Sequence, residues 1–235
     1  VAACQEILRA YPGHLAARQL LSQASFEEGR FAEAAAHFQA ILELHPENAL
    51  ARSGLALVLE RQGQLKRAIG ELERAFAANP GNPQLRDSLL SLRAHLERQP
   101  KGLELSPAAR GRVLATKGEH QAALTCFGQA LQFHPQRPEL QLAQIESRLA
   151  LGRLEEAEAG CRQLLAEHPA VLKAKVLLAI ILLKKGQDAP GSSLTHEVAG
   201  ADPSLTLARR LFKEAGFSLP DPAVLLSRRH FTAVI

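Results

Sequence analysis

The sequence is poor in aromatic residues and in cysteine. It contains no tryptophan and no methionine, has a single tyrosine, and its aromatic content is 4% over 235 residues. Alanine and leucine carry most of the apolar content, which favours close packing of helices over a β core. The three cysteines, Cys4, Cys126 and Cys161, form no Cys-x-x-Cys pair, and their odd number argues against a disulfide framework or a zinc site. We interpret Cys4 and Cys161 as small buried hydrophobic residues.

The sequence also has none of the short motifs that carry catalysis or nucleotide binding. A glycine-rich phosphate loop, a His-Glu-x-x-His pair and a Gly-x-Ser-x-Gly turn are all missing. The acidic cluster of Glu155, Glu156 and Glu158 opens a predicted helix, where carboxylates interact favourably with the helix dipole. We therefore predict a protein that is not an enzyme and that has no catalytic residue, cofactor or metal ion.

Long apolar runs and a strong excess of one charge are absent as well. The longest apolar run, residues 176–183, is too short to span a membrane. The net charge of +4 is mild and the basic residues are not concentrated, unlike those of a dedicated nucleic-acid binder. We predict no nucleic-acid partner and no membrane span, and the compartment, cytoplasm or periplasm, stays open.

What the sequence does have is a period of 34 residues. Pro12, Pro46 and Pro80 are separated by this interval, and Pro135, Pro169 and Pro203 repeat it. Within the unit that ends at Pro46, Gly29 stops one helix, and three positions share a face of the next. The matching series are Ala34, Phe38 and Ile41; Ala68, Leu72 and Ala75; Ala123, Phe127 and Ala130; and Ala157, Cys161 and Leu164.

This period, with a small residue at the helix crossing and a proline at the end, resembles the tetratricopeptide repeat (TPR) family. The resemblance implies an all-α, right-handed superhelical solenoid of antiparallel helix pairs. It also implies a non-catalytic adaptor or scaffold that binds another protein or peptide in its concave groove.

Polar residues, three of them histidines, precede the repeat-ending prolines. His45, His134 and His168 raise the alternative of a metal site. Their spacing of one repeat would put neighbours on separate ridges, so we interpret them as helix-end residues close to the negative end of the dipole.

The period breaks between Pro80 and Pro135, where 55 residues separate the prolines. Residues 84–98 still predict an amphipathic helix, but Pro100 and Pro107 forbid the second helix that should follow. Ser106 and Pro107 instead predict the start of a new helix. The predicted domains are an N-terminal array at 1–98, a joint at 99–106, a C-terminal array at 107–203 and a helical end cap at 204–235.

Both ends of the chain depart from the regular pattern. Residues 1–11 predict a second helix without its first, so we expect a preceding segment. In the last repeat, Pro190 and Gly191 lie where the second helix should begin, and we expect that helix, 192–201, to be short or frayed. Residues 204–215 predict one more helix, and 221–230 a short final one.

In the TPR family the first helix of each pair forms the concave wall. Mapped by register, the predicted partner-binding wall comprises Gln19, Gln23, Glu27, Ser53, Leu57, Glu60, Arg112, Thr116, Leu142, Glu146, Val176, Ile180 and Leu183. Members that capture the acidic C-terminus of a chaperone use Lys, Arg and Asn on these helices. The comparable positions here are Gln19, Gln23, Ser53, Gln84 and Ser88, which argues against such a partner.

The helix predicted at 171–186 is apolar all round, which implies cover on every side. One interpretation is that the end of the chain covers it, through Leu205, Leu207, Leu211, Phe212 and Phe217. The other is a hydrophobic slot for a helix or an extended segment of a partner. A basic tail suggests an acidic partner, although a solvated helix face is the default interpretation of such a run. The residues of that tail are Arg209, Arg210, Lys213, Arg228 and Arg229.

Two alternative functions stay open from the sequence. The repeats could be the substrate-recruiting region of a larger enzyme, such as a glycosyltransferase, which a catalytic domain elsewhere in the full protein would establish. Binding of RNA by the helical repeats is a further alternative, but the predicted groove lacks the regular basic stripe that it requires.

Overall fold

The computed structural model describes residues 2–96 and 104–219, which contain thirteen α-helices and no β-strand. The helices are α1 (Ala2–Ala10), α2 (Leu15–Glu27), α3 (Phe31–Leu44), α4 (Ala49–Arg61), α5 (Leu65–Ala78), α6 (Pro83–Leu96), α7 (Pro107–Thr116), α8 (His120–Phe133), α9 (Pro138–Ala150), α10 (Leu154–Glu167), α11 (Leu172–Lys184), α12 (Asp188–Ala201) and α13 (Thr206–Glu214). The predicted all-α solenoid is confirmed.

The helices pack as successive pairs, each joined by a tight turn. The pairs are α2 with α3, α4 with α5, α7 with α8, α9 with α10, and α11 with α12, and each pair also packs on the next helix along the chain. The turn inside each pair needs a residue with positive φ, and Gly29 (φ 75°) and Gly63 (φ 74°) supply it in the first two. The repeat turn is therefore fixed by local sequence.

The small residue predicted at each helix crossing is completely buried. Ala34, Ala68, Ala123 and Ala157 each have 0% of their surface exposed, which allows the two helix backbones of a pair to approach closely. Cys161 is likewise 0% exposed, whereas Cys4 and Cys126 are half-buried. Burial raises the pKa of the Cys161 thiol to about 12, so this thiol stays protonated and unreactive.

The helix ends agree with the predicted signals. The Ser106 hydroxyl caps α7 by accepting a hydrogen bond from the Ala109 N–H at 3.3 Å, and Pro107 occupies the first helical turn. The three histidines before the prolines are the C-cap residues of α3, α8 and α10. They are therefore helix-end residues, as predicted.

The expectation of a short or frayed second helix in the last repeat is wrong. Helix α12 has 14 residues, the same length as α3, α5, α8 and α10. Pro190 is its third residue, within the first turn, where backbone N–H groups have no partner inside the helix. A proline there removes no hydrogen bond, so the helix begins at Asp188 in spite of it.

Helices α1–α6 are called the first array below, and α7–α12 the second array. Both α6 and α7 pack on α5, and Ala77 of α5 lies in one apolar cluster with Ala108 and Ala109 of α7. Most of the predicted joint, and the helix predicted at 221–230, lie outside the described residues. The domain boundaries stay a prediction.

Candidate binding surfaces

The first array contains an open cleft between α4 and α6, on the wall that was predicted to bind a partner. Its volume is about 430 Å³, and three predicted groove residues, Ser53, Leu57 and Glu60, line it. Leu57 is 49% exposed, and Leu50 at the rim of the cleft is 66% exposed. The polar side chains that line the remainder of the cleft are uncharged amides and hydroxyls: Asn79, Asn82, Gln84, Ser88 and Ser91. The cleft therefore combines two exposed leucines with polar side chains that are uncharged except for Glu60.

The predicted groove residues of α2 lie apart from that cleft. Gln19 is half-buried, while Gln23 and Glu27 are exposed and hydrogen-bonded to each other at 2.9 Å through Gln23 Nε2. None of the three lines the cleft between α4 and α6.

In the second array the predicted wall is largely closed. Leu142, Val176 and Ile180 are each 1% exposed and belong to one apolar cluster, against which Leu183 packs half-buried. Thr116 is exposed, and its hydroxyl donates a hydrogen bond to the Val113 carbonyl of its own helix.

The two charged residues of that wall are tied into ion pairs. Lys173 Nζ lies 2.6 Å from one Glu146 carboxylate oxygen, and Arg112 Nη1 lies 3.5 Å from the other. Burial by itself raises the pKa of Glu146, but Lys173 and Arg112 together lower it below its ordinary value. The Glu146 carboxylate is therefore charged and held between Lys173 and Arg112, so it is not free to bind a partner's cation.

The apolar helix α11 packs against the end of the described chain. Leu205, Leu211 and Phe212 are buried in the same cluster as α11, and Leu207 and Phe217 pack against that cluster. These five residues are the ones predicted to cover the helix. The packing supports cover by the chain's own end over a slot for a partner. Of the predicted basic tail, Arg209, Arg210 and Lys213 are exposed, and Arg228 and Arg229 lie outside the described residues.

The two arrays meet along the turns that end their repeats, and Glu139 of α9 is the centre of that contact. Arg74 of α5 donates to both of its carboxylate oxygens, from Nε at 2.9 Å and from Nη2 at 3.1 Å. Arg52 of α4 lies 3.3 Å away and Arg137 lies 2.8 Å away. Burial alone would raise the pKa of Glu139, but the three guanidinium groups lower it from 4.5 to about 2.

Two further contacts continue the same line. Lys173 of α11 lies 3.8 Å from Glu47, which follows Pro46 in the first array. The Gly13 N–H donates to the Ala201 carbonyl at 2.9 Å. We refer to the contacts of Gly13 with Ala201, of Glu47 with Lys173, and of Arg52 and Arg74 with Glu139 as the inter-array seam.

His45 lies next to this seam and is only 6% exposed. Burial lowers its pKa, and Lys173 lowers it further, while Glu47 and Asp202 act in the opposite direction. The imidazole is therefore neutral at pH 7. Its Nε2 atom is buried without a hydrogen-bond partner.

A larger cleft of about 1020 Å³ borders the seam on one side. Leu42, Phe76 and Leu89 supply part of its apolar lining, and Phe133 at its edge is 77% exposed. Arg52, Arg74 and Arg137 also line it. Part of the charged cluster around Glu139 therefore faces solvent through this cleft, since the Arg74 side chain is 30% exposed.

None of the seam residues was predicted from the sequence. A signal is present for Arg52, because Leu55 and Leu59 follow it at helical spacing on the same buried face. A charge on an apolar face indicates a buried ion pair. Nothing in the sequence indicates that its partner is Glu139, which lies 87 residues further along the chain.

Neither a metal centre nor a membrane helix is found in the described part of the chain. Residues 2–96 and 104–219 contain no group of three or more His, Cys, Asp or Glu side chains arranged to bind a metal ion. Over the same ranges, no helix combines the length and the apolar content that crossing a bilayer requires.

Comparisons with known families agree with this architecture. Two family models match the sequence, and both are described as tetratricopeptide repeat: one covers residues 25–96, the other residues 1–46 and 108–171. The chain belongs to the tetratricopeptide repeat family. Repeats of this kind act as protein-interaction surfaces, so the chain is a protein-interaction scaffold in general terms. No curated protein matches the sequence.

Solved structures with a similar arrangement share little sequence with this chain. YrrB, described as a TPR protein with an unusual peptide-binding site, is 16% identical over 90% of this chain and 98% of its own, with a TM-score of 0.41. A tetratricopeptide repeat protein from Parabacteroides merdae is 15% identical over 91% and 88%, with a TM-score of 0.44. TTC0263 from Thermus thermophilus is 21% identical over 86% and 98%, with a TM-score of 0.37.

Proposed function

We propose that the protein is a non-catalytic scaffold that binds a segment of a partner protein in the cleft between α4 and α6. The observation that carries this proposal is the 49% exposure of Leu57 in a cleft that also holds the exposed Leu50 and a set of polar side chains. An apolar side chain left open in a concave surface is a typical anchor point for a partner.

The chemistry of the cleft favours a partner helix or extended segment with apolar side chains. Leu50 and Leu57 offer apolar contact, while the amides of Asn79, Asn82 and Gln84 can donate and accept hydrogen bonds. Among the described residues, no lysine or arginine lines this cleft, and Glu60 is its single charged lining residue. An acidic C-terminus would therefore find no counter-charge here. A neutral or weakly basic amphipathic segment fits the cleft better.

Substitution of Leu57 by aspartate tests the proposal. Partners are captured from the source organism's extract with the wild-type chain, identified by mass spectrometry, and their affinities are then measured with purified components. We expect Leu57→Asp to weaken binding at least about tenfold, because a charge would be buried against apolar side chains.

Leu20→Asp is the matched control. Leu20 is 59% exposed on α2 and does not line the cleft, so this substitution adds the same charge at a somewhat more exposed leucine. We expect its partners and affinities to equal those of the wild type. Equal affinities for the wild type and Leu57→Asp would contradict the proposed site.

A further inference from the structure

The larger cleft beside the inter-array seam is separate from the groove predicted from the sequence. None of the predicted groove residues lines it, and much of its lining comes from α3 and α5, the second helices of their pairs. Its volume of about 1020 Å³ lies at the upper end of the range of about 300–1,000 Å³ that is typical of binding pockets. The cleft is therefore large enough to receive a segment of another chain.

The cleft has an apolar lining with an aromatic side chain at its edge. Leu55, Leu59 and Phe76 line it and are only 5–6% exposed. Phe133, the last residue of α8, is 77% exposed, more than any other large apolar side chain among the described residues. An aromatic ring left in water at the edge of a cleft is a typical anchor for an apolar side chain of a partner.

The arginine cluster at the seam supplies an excess of positive charge to the same cleft. Arg52, Arg74 and Arg137 all line it. Among the described residues, their ion-pair partners are two carboxylates, those of Glu71 and Glu139. Three guanidinium groups against two carboxylates leave one positive charge uncompensated. This part of the cleft therefore favours an anionic group.

The other charged residues that line the cleft do not cancel this excess. Glu73 is held by Arg93, whose Nη2 atom lies 2.5 Å from its carboxylate. Glu43 and Glu104 are exposed, as is Arg67, so water screens their charges.

Buried nitrogen atoms of the cluster lack an acceptor. In the described part of the chain, Arg52 Nε, Arg137 Nη2 and His168 Nε2 are buried without a hydrogen-bond partner, and all three residues line the cleft. Arg52 itself is only 2% exposed. Each Glu139 oxygen already faces two guanidinium nitrogens, within 3.3 Å. Because a buried donor without an acceptor is costly, an acceptor brought by a ligand would be stabilising here.

We propose that the larger cleft is a second partner-binding site, which takes an extended segment with a glutamate or aspartate next to large apolar side chains. The carboxylate of that segment binds at Arg52 and Arg137 and balances the excess charge, and its apolar side chains pack on Phe133 and Phe76. This preference for an acidic segment differs from that of the α4–α6 cleft. The two proposals stand independently of each other.

The test uses a library of random peptides displayed on phage, which is panned on the full wild-type chain at low ionic strength. Enriched peptides are synthesised with a fluorescent label, and their dissociation constants are measured by fluorescence anisotropy. We expect one enriched group to combine acidic and large apolar residues. Raising the salt concentration should weaken the binding of this group, because part of it is electrostatic.

Arg137→Gln should raise the dissociation constant of the acidic peptides at least about tenfold, since it removes a charge-assisted hydrogen bond to their carboxylate. Arg148→Gln is the matched control. Arg148 also forms an ion pair, with Glu156 at 3.6 Å, and its side chain is 29% exposed against 18% for Arg137, but it does not line the cleft. We expect Arg148→Gln to bind the acidic peptides as the wild type does.

Phe133→Ser distinguishes a loss of binding from a disturbance of the seam. Phe133 is largely exposed, so its substitution leaves the fold intact, whereas Arg137 also contacts Glu139. We expect Phe133→Ser to raise the dissociation constant of the acidic peptides at least about fivefold. Leu57→Asp should leave it unchanged, because Leu57 lines the α4–α6 cleft instead.

Four outcomes would overturn the proposal. They are a failure to enrich peptides with acidic residues, wild-type affinity in Arg137→Gln or Phe133→Ser, an equal loss in Arg148→Gln, and a loss in Leu57→Asp. The last outcome would place the acidic peptides in the α4–α6 cleft. If Arg137→Gln does not yield folded protein, Phe133→Ser decides. Peptides that bind through the α4–α6 cleft are lost in Leu57→Asp and retained in Arg137→Gln, so the two proposals fail separately.

Discussion

The predicted groove walls of the two arrays are built from the same repeat but differ in how far they are exposed. Leu57 of α4 and Ile180 of α11 are the ninth residues of their helices. Leu57 is 49% exposed, whereas Ile180 is 1% exposed. Register within a repeat therefore sets the direction of a side chain. Its exposure depends on the local packing, since Ile180 lies in the apolar cluster that α11 forms within the second array and with the chain's end.

The same comparison holds for charge. The open wall of the first array is lined by neutral amides and hydroxyls with one carboxylate, Glu60. The closed wall of the second array holds Glu139, Glu146 and Lys173, each in an ion pair. Charged residues on a concave face remain compatible with burial only where counter-charges are brought to them. In this molecule Arg52 and Arg74 of the first array bring that counter-charge to Glu139.

The largest expected effect comes from the carboxylate at the centre of the seam. Glu139→Gln should lower the free energy of unfolding by about 3–5 kcal/mol at pH 7, because Arg52 and Arg74 then lose a buried partner. The pKa of Glu139 is lowered from 4.5 to about 2, so its contribution is complete above about pH 4.5 and is lost as the pH falls towards 2. The difference between wild type and variant should shrink over that range. Urea denaturation followed by circular dichroism at pH 7, 4.5 and 3 measures it.

The pKa of Glu139 gives an independent check on the size of the expected loss of stability. A pKa lowered this far corresponds to about 3 kcal/mol, within the range expected from removing the ion pair. A difference between wild type and variant that stayed constant from pH 7 to pH 3 would show that Glu139 does not act through its charge.

The next prediction compares the equivalent positions Ile180 and Leu57 by truncating each side chain to alanine. Ile180→Ala should lower the free energy of unfolding by about 2–5 kcal/mol, because it leaves a cavity in a buried cluster. Leu57→Ala should change it by no more than about 0.5 kcal/mol, since half of that side chain already faces water. Urea denaturation of both variants provides the measurement. Similar losses for the two would mean that both walls are buried to the same degree in solution.

The features that could be predicted from the sequence are those that neighbouring residues decide. The turn glycines, the repeat-ending prolines, the Ser106 cap and the buried alanine at each helix crossing all follow from local patterns, and the structure confirms them. The need for cover over α11 could be predicted too, because a helix that is apolar on every side requires it, but the sequence left open whether the chain's end or a partner supplies that cover. Each of these signals lies within one repeat or at its border.

Two features escaped prediction for different physical reasons. Helix α12 appeared weak because Pro190 and Gly191 are poor residues for a helix interior, yet Pro190 lies in the first turn, where it costs no hydrogen bond. The inter-array seam joins residues as far apart as Gly13 and Ala201. A repeat pattern specifies each helix pair and its neighbour but not the curvature that brings distant repeats together. The position of Arg52 on an apolar helix face indicates a buried ion pair, but the sequence does not indicate its partner.

The smallest expected effect tests the contact between Gly13 and Ala201. Gly13 and Gly81 both follow a repeat-ending proline, and neither has a positive φ. A Cβ atom at Gly13 would lie 2.7 Å from the Ala201 carbonyl oxygen, whereas one at Gly81 would meet nothing within 4 Å. Gly13→Ala should therefore lower the free energy of unfolding by about 1–3 kcal/mol, as overpacking does. Gly81→Ala should leave it unchanged or raise it by about 0.4–1 kcal/mol, by restricting the unfolded chain. Urea denaturation of the pair decides, and equal effects at the two glycines would mean that the first and last repeats do not touch in solution.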